Sequence, residues 1–224
     1  MQHKKMLIDE AHQKIKSMIF EQRLAPGQKL TYSDLSRAFD MSPTPVINAL
    51  HRLEYEGFVV SVPFKGFYVK KIGLQEAWEL FGLREALETH IVEQVILIAD
   101  AEDMSLLEDK FSEHASYQPR AYDRKRFMLD SEFHNQLAAL SKNRVLAHQL
   151  ATTLEHFYMR FRFDSMSLDR LQSSVEEHRQ IIDRIRRKDI NGSREAMRNH
   201  IQNARNDIIQ ALSDELSPGR MSVG

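Results

Sequence analysis

Asp130 and His134 stand four residues apart, a spacing that lets a carboxylate and an imidazole on one helix converge on a single point. The same face carries Phe127, Leu137 and Ala138. Two further histidines occupy positions where apolar residues belong. His178 lies within the stripe Leu168, Leu171, Val175, Ile182 and Ile185, and His200 within Met197, Ala204 and Ile208. One carboxylate and three imidazoles are thus aimed at a core, where an unpaired polar group is costly. Two readings follow from spacing: satisfied core histidines, or four ligands sharing a divalent cation. The chain has no cysteine, so a metal would have to use His, Asp or Glu. His3, His12, His90, His114, His148 and His156 lack such placement and are expected at the surface or in packing.

A second group of candidates lies nearer the start. Ser42 followed by Pro43 reads as a helix opening, with Ser capping free backbone donors and Pro harmless in the first turn. Val46, Ala49, Leu50 and Leu53 form the buried stripe of that helix, which leaves Thr44, Asn48, His51 and Arg52 on the other side. Gly57 closes it. Next, 58–62 and 67–69 are β-branched and aromatic runs joined by Pro63-Phe64-Lys65-Gly66, a hairpin by composition.

These residues need elements to hold them. An amphipathic helix over 7–20 and a second one opened by Thr31, with Asp34 completing a capping box, precede the Ser42 helix. Three helices and a hairpin make a winged helix-turn-helix, whose third helix enters the major groove of double-stranded DNA. On this reading Asn48 meets an adenine edge and Thr44 a phosphate or a thymine methyl. His51, Arg52 and Lys65 position the DNA backbone, with Ser42 and Gly66 completing the surface. The alternative is that Asn48 and His51 are solvated surface residues. After residue 72 the pattern is helical: about 75–98, 103–116, 121–140, 143–164, 167–187 and 191–213. Met159-Arg160-Phe161-Arg162-Phe163 alternates in a way that fits no helical face. The expected architecture is mainly α. A winged helix-turn-helix domain (1–72) precedes an all-α helical bundle (73–216), for which the resemblance given below implies effector, metal and dimer contacts, and 217–224 is an expected disordered tail.

Composition agrees with two jobs. Of the 224 residues, 42% are hydrophobic and 28% charged, which excludes wholesale disorder. Residues 1–72 hold eleven Lys and Arg against seven Asp and Glu, while the remainder is net acidic within a total charge of -1. Absent cysteine, and with no run near the ~18 apolar residues of a membrane span, a cytoplasmic protein without membrane contact is expected.

The ordered set Pro26-Gly27, Leu30, Leu35, Ser42, Thr44-Pro45-Val46, Ala49-Leu50, Leu53, Glu54, Gly57, Pro63, Gly66 and Val69 resembles the N-terminal domain of the GntR family of bacterial transcription regulators. Pro43 and Ile47 stand where that family commonly has two DNA-touching arginines, which implies a different operator. Residues 75–213 resemble the helical ligand domain of its FadR subgroup through Leu83-Arg84, Glu88, Asp130, Phe133-His134, Asn143, Leu146, Glu177-His178, Met197 and His200-Ile201. The resemblance implies a divalent metal on Asp130, His134, His178 and His200. It also implies that Arg84 faces the cavity and pairs with an effector carboxylate; otherwise Arg84 forms a surface ion pair with Glu88. Four ligands on a six-coordinate ion leave room for water or carboxylate oxygens, with zinc expected first and nickel or manganese compatible. The function implied is that of a homodimeric repressor on a pseudo-palindromic operator, released by a small organic acid. The competing class is a metal-dependent hydrolase, against which stand the absence of a nameable general base, of a Gly-rich phosphate loop and of a nucleophile elbow.

Overall fold

A computed structural model describes residues 2–119, 123–162 and 169–216. The chain divides into two compact units. One joins residues 1–72 with His156–Arg162, and the other joins Gly73–Glu155 with the rest.

The first unit opens with α1 (Gln2–Phe20), which buries Ala11, Ile15 and Ile19. Then come α2 (Tyr32–Phe39) and α3 (Pro43–Tyr55), the latter with Val46, Ala49, Leu50 and Leu53 fully buried. The apolar spacing of 46, 49, 50 and 53 makes one face of a 3.6-residue repeat, and α1 and α2 pack against it. Thr31 and Ser42 are the N-caps of α2 and α3, yet neither side chain makes a capping hydrogen bond, so the expected capping box does not form. Asp34 instead pairs with Arg37. At the far end of α3, Gly57 adopts φ +81°. The Gly57 N–H donates to Glu54 O and the Phe58 N–H to Leu53 O, a Schellman closure that favours glycine.

The hairpin is β2 (Val59–Val62) and β3 (Gly66–Val69), with Val62 opposite Gly66. A two-residue strand, β1 (Lys29–Leu30), pairs with the other edge of β3, giving the antiparallel order β1-β3-β2. The sequence reading did not include β1, which is too short to show periodicity. At the tip Lys65 N–H donates to Val62 O, and Phe64 takes a left-handed φ of +62° while fully exposed.

The second unit is helical throughout among the described residues: α4 (Leu74–Ile98), α5 (Ala101–Ser116), α6 (Arg124–Leu140), α7 (Arg144–Arg160), α8 (Asp169–Arg186) and α9 (Ile190–Leu216). In it α4 packs on α9 and α6, α8 on α9, and α5 on α6 and α8. A full capping box at Asp100 and Asp103 starts α5. Asp123 caps α6 by accepting the Arg126 N–H, so α6 begins at Arg124, later than expected; 120–122 lie outside the described residues. Expected helix over 163–164 and 167–168 and the expected tail 217–224 also lie outside them.

The units divide at 72/73, and the last residues of α7 join the first of them. His156 stacks on Phe58 with ring centroids 4.8 Å apart, Tyr158 meets Phe20, and Ile72 N–H donates to Arg160 O. This apolar seam gathers His156–Arg162 into the first unit. The helix ends at Arg160, so Phe161 and Arg162 of the alternating run lie beyond it. No helix of the described residues is long and apolar enough to cross a membrane.

Arg126 ties α5, α6 and α8 together. It is 1% exposed, and its guanidinium donates to the His114 and Tyr117 carbonyls at the end of α5 and to Ser174 Oγ on α8. Cationic donors on a helix C-terminus complement its orphan carbonyls and dipole. Arg126→Met should therefore cost about 2–4 kcal/mol, read from urea unfolding midpoints, because buried carbonyls lose charge-assisted donors. A loss below about 0.5 kcal/mol would contradict this role.

Candidate metal centre and nucleic-acid interface

Three helices deliver the polar cluster in the core of the second unit. Along α6, Asp130 and His134 are one turn apart; α8 supplies His178 and α9 supplies His200, all three imidazoles at most 1% exposed. Their Nε2 atoms form a triangle with edges of 3.1 Å (His134 to His200), 3.3 Å (His134 to His178) and 3.2 Å (His178 to His200). Asp130 completes the group, with carboxylate oxygens 3.7 Å from His134 Nε2 and 3.6 Å from His178 Nε2. All four ligating atoms lie within 4.8 Å of one another. The Asp130 side chain is 14% exposed, so solvent reaches the cluster on the carboxylate side.

The other ring edges decide what can sit between these nitrogens. His134 Nδ1 contacts the Glu88 carboxylate, and His200 Nδ1 lies 2.7 Å from Glu177 Oε2. A carboxylate accepts and does not donate, so both rings carry their proton on Nδ1. Their Nε2 lone pairs then face each other at 3.1 Å. Burial, then the neighbouring imidazoles and Arg170, hold His178 and His200 well below the usual histidine range, which disfavours a proton on either of these rings. A divalent cation relieves the facing lone pairs without protonation. The edges suit one: a metal about 2.1 Å from each nitrogen needs N–N edges of about 3.0 Å in octahedral and about 3.4 Å in tetrahedral coordination.

Carboxylates and arginines surround the cluster. Arg84 and Glu88, one turn apart on α4, are 2% and 1% exposed, and Arg84 Nε donates to Glu88 Oε1 at 2.8 Å. The pair is therefore buried rather than a surface ion pair. Burial alone pushes the Glu88 carboxyl up, but the His134 and Arg84 charges and hydrogen bonds outweigh it and hold the group at about 2. Arg84 Nη2 is buried without a hydrogen-bond partner among the described residues. Arg170, 7% exposed, donates to Glu177 at 2.7 Å and pairs with Asp207.

Sequence reasoning did not place Glu88, Arg170, Glu177 or His114 in this setting. His114, set aside as surface or packing, is fully buried beside His178, with its pKa lowered to about 4 chiefly by burial. The signal was present: Leu107, Phe111 and His114 are spaced four and three apart, and all are buried.

In the first unit α3 presents Thr44, Asn48, His51 and Tyr55 along one exposed face. Asn48 Nδ2 donates to the Thr44 carbonyl, His51 lies edge-on to Phe67 and pairs with Glu54, and Tyr55 is 93% exposed. Ser42, Lys65 and Gly66 are also exposed. Arg52 differs from expectation: its guanidinium is engaged by Asp9 at 2.8 Å and by Glu56 at 3.2 Å, on the side facing α1.

A winged helix-turn-helix unit joined to a helical unit of this kind defines a DNA-binding transcription regulator. Residues 7–69 match the bacterial regulatory proteins of the gntR family, and residues 79–203 match the FCD domain. The chain belongs to the GntR family, in its FadR-like subgroup. It is 26% identical to the HTH-type transcriptional regulator YdhC of Bacillus subtilis, over 93% of this chain and 92% of that one. Identity is 28% with the Uxu operon regulator of Haemophilus influenzae (86% and 77% covered) and 25% with the HTH-type transcriptional repressor RspR of Escherichia coli (84% and 82%). The E. coli McbR/YncC structure shares the fold with a TM-score of 0.73 at 19% identity, covering 94% of this chain and 99% of that one. These families and relatives are regulators, not enzymes, which removes the hydrolase reading.

The buried imidazoles make acid sensitivity predictable. His114, His178 and His200 remain neutral in the folded chain at pH values where unfolded histidine, near 6.5, already binds protons. The unfolded state thus takes up more protons as pH falls, so their contribution is intact above about 6.5 and is lost on acidification. For His114 the loss is complete near pH 4. Glu88 adds a further loss as pH falls from 4.5 towards 2. Urea midpoints measured in chelator should fall steadily from pH 7 to 4.5. A flat profile would contradict neutral burial.

Proposed function

We propose that this regulator binds a pseudo-palindromic operator as a homodimer, acts as a repressor, and releases DNA when a small carboxylate reaches a divalent metal held by Asp130, His134, His178 and His200. The observation that carries the sensing half is the Nε2 triangle, whose rings present lone pairs to one point beside a buried arginine with a free donor. When bound, the ion supplies Lewis-acid positions for oxygen donors. Zinc fits the N and O donor set first, with nickel or manganese as alternatives. Arg84, kept in place by Glu88, offers Nη2 to an incoming carboxylate; the planar guanidinium suits such an anion. Glu88 and Glu177 fix the ring tautomers of His134 and His200.

The DNA half rests on the exposed face of α3. Asn48 can present donor and acceptor to an adenine once it leaves the Thr44 carbonyl, while Thr44, His51, Lys65, Ser42 and Gly66 approach the backbone. Arg52 contributes through α1 instead. Two-fold operators follow from dimeric helix-turn-helix geometry. A repressing sign is supported by the relative RspR, an HTH-type transcriptional repressor. The effector must bind one state of the dimer better than the other.

Selection of bound fragments from random and genomic DNA at fixed salt should recover a short inverted repeat; recovery of nothing above background would overturn the operator reading. On that repeat, a panel of small mono- and dicarboxylates should release the zinc-loaded protein. Arg84→Lys keeps a charge opposite Glu88 and should retain zinc and operator affinity. It should need roughly tenfold to hundredfold more carboxylate for release. An unchanged response would remove Arg84 from the site.

A further inference from the structure

His178 differs from the other two imidazoles of the triangle. Among the described residues no carboxylate meets its Nδ1; the neighbour there is His114 Nδ1, at 3.4 Å. Two facing ring nitrogens share one proton, and which ring carries it decides what His178 can do. If His114 donates, the His178 proton moves to Nε2, into the space between His134 and His200 at 3.3 and 3.2 Å. If His178 donates, its Nε2 lone pair points there instead, and the His114 proton sits on Nε2. That Nε2 is buried, has no hydrogen-bond partner among the described residues, and faces Asp130 Oδ1 at 3.7 Å. The negative charge of Asp130 favours this second arrangement. The ring is also held from behind, since the Arg126 guanidinium grips the His114 carbonyl.

We propose that His114 is a positioning residue of the metal centre: it accepts the Nδ1–H of His178, turns its own Nε2–H towards Asp130, and so holds two of the four ligands in their binding forms. This rests on the metal reading above. It gives α5, which supplies no ligand, a place in the centre, and it does for His178 what Glu88 and Glu177 do for His134 and His200.

The test compares wild type, His114→Phe, which fills the volume without an acceptor, and His114→Asn, whose amide oxygen falls near the position of Nδ1. Zinc affinity is read by competition with a fluorescent chelator, and ligand geometry by the visible spectrum of the cobalt-loaded protein. His114→Phe should lose about tenfold to a hundredfold in affinity and change the cobalt spectrum, while His114→Asn stays within about threefold. Wild-type affinity in His114→Phe would overturn the proposal, as would an equal loss in both variants. Wild type that takes up neither metal would overturn the metal reading itself, and this inference with it. Long-range proton–nitrogen spectra of zinc-loaded wild type need no variant. They should show His114 protonated at Nε2 and His178 at Nδ1, and the reverse pattern would overturn the assignment.

Discussion

The second unit is organised around an electrostatic conflict. His134 and His200 each turn a protonated Nδ1 to a carboxylate, so their unprotonated edges meet in a buried space only 3.1 Å apart. Among the described residues the neighbour that could donate into that gap is His178 Nε2, and it does so only when His114 holds the proton between the two facing Nδ1 atoms. A shared cation resolves the conflict, and each feature around it follows: buried carboxylates behind the rings, arginines behind the carboxylates, and a half-open side at Asp130. The helices α4, α6, α8 and α9 are thereby coupled through a single point, and α5 joins them through His114.

This arrangement suits a sensor better than a purely structural clamp. A closed structural site uses all of its coordination positions. Here solvent reaches Asp130, and an arginine donor beside the cluster has no partner among the described residues. The cost of burying Arg84 with one unused donor is accepted where a ligand later satisfies it. The DNA-binding unit carries its own departure from the family pattern. With Pro43 and Ile47 in place of arginines and Arg52 engaged by Asp9, the exposed face of α3 presents Asn48, Thr44, His51 and Tyr55. On the proposed reading such a face would meet base edges with the Asn48 amide rather than with bidentate guanidinium contacts.

What could be read from the sequence followed periodicity. His178 and His200 stood out because a polar residue broke an apolar stripe of period 3.6, and Asp130 and His134 because they share a face. His114 obeyed the same rule behind Leu107 and Phe111, but a single stripe member on a mostly charged helix is easily taken for packing. Glu88 and Glu177 were matched as family residues, yet their work depends on which ring nitrogen they face, and that is set by helix packing between distant segments. Strand β1, with two residues, has no period to detect. The placement of His156–Arg162 with the first unit depends on contacts more than 80 residues away, such as His156 on Phe58. Capping chemistry also misled: Ser42 and Thr31 occupy the cap positions without making the side-chain bonds.

X-ray absorption at the zinc edge, on protein reconstituted with zinc and passed over a chelating resin, tests the central claim most directly. The account predicts about one zinc per chain, with three imidazole nitrogens and a carboxylate oxygen at about 2.0–2.2 Å. Failure to retain zinc, or a first shell with fewer than three imidazoles, would contradict it.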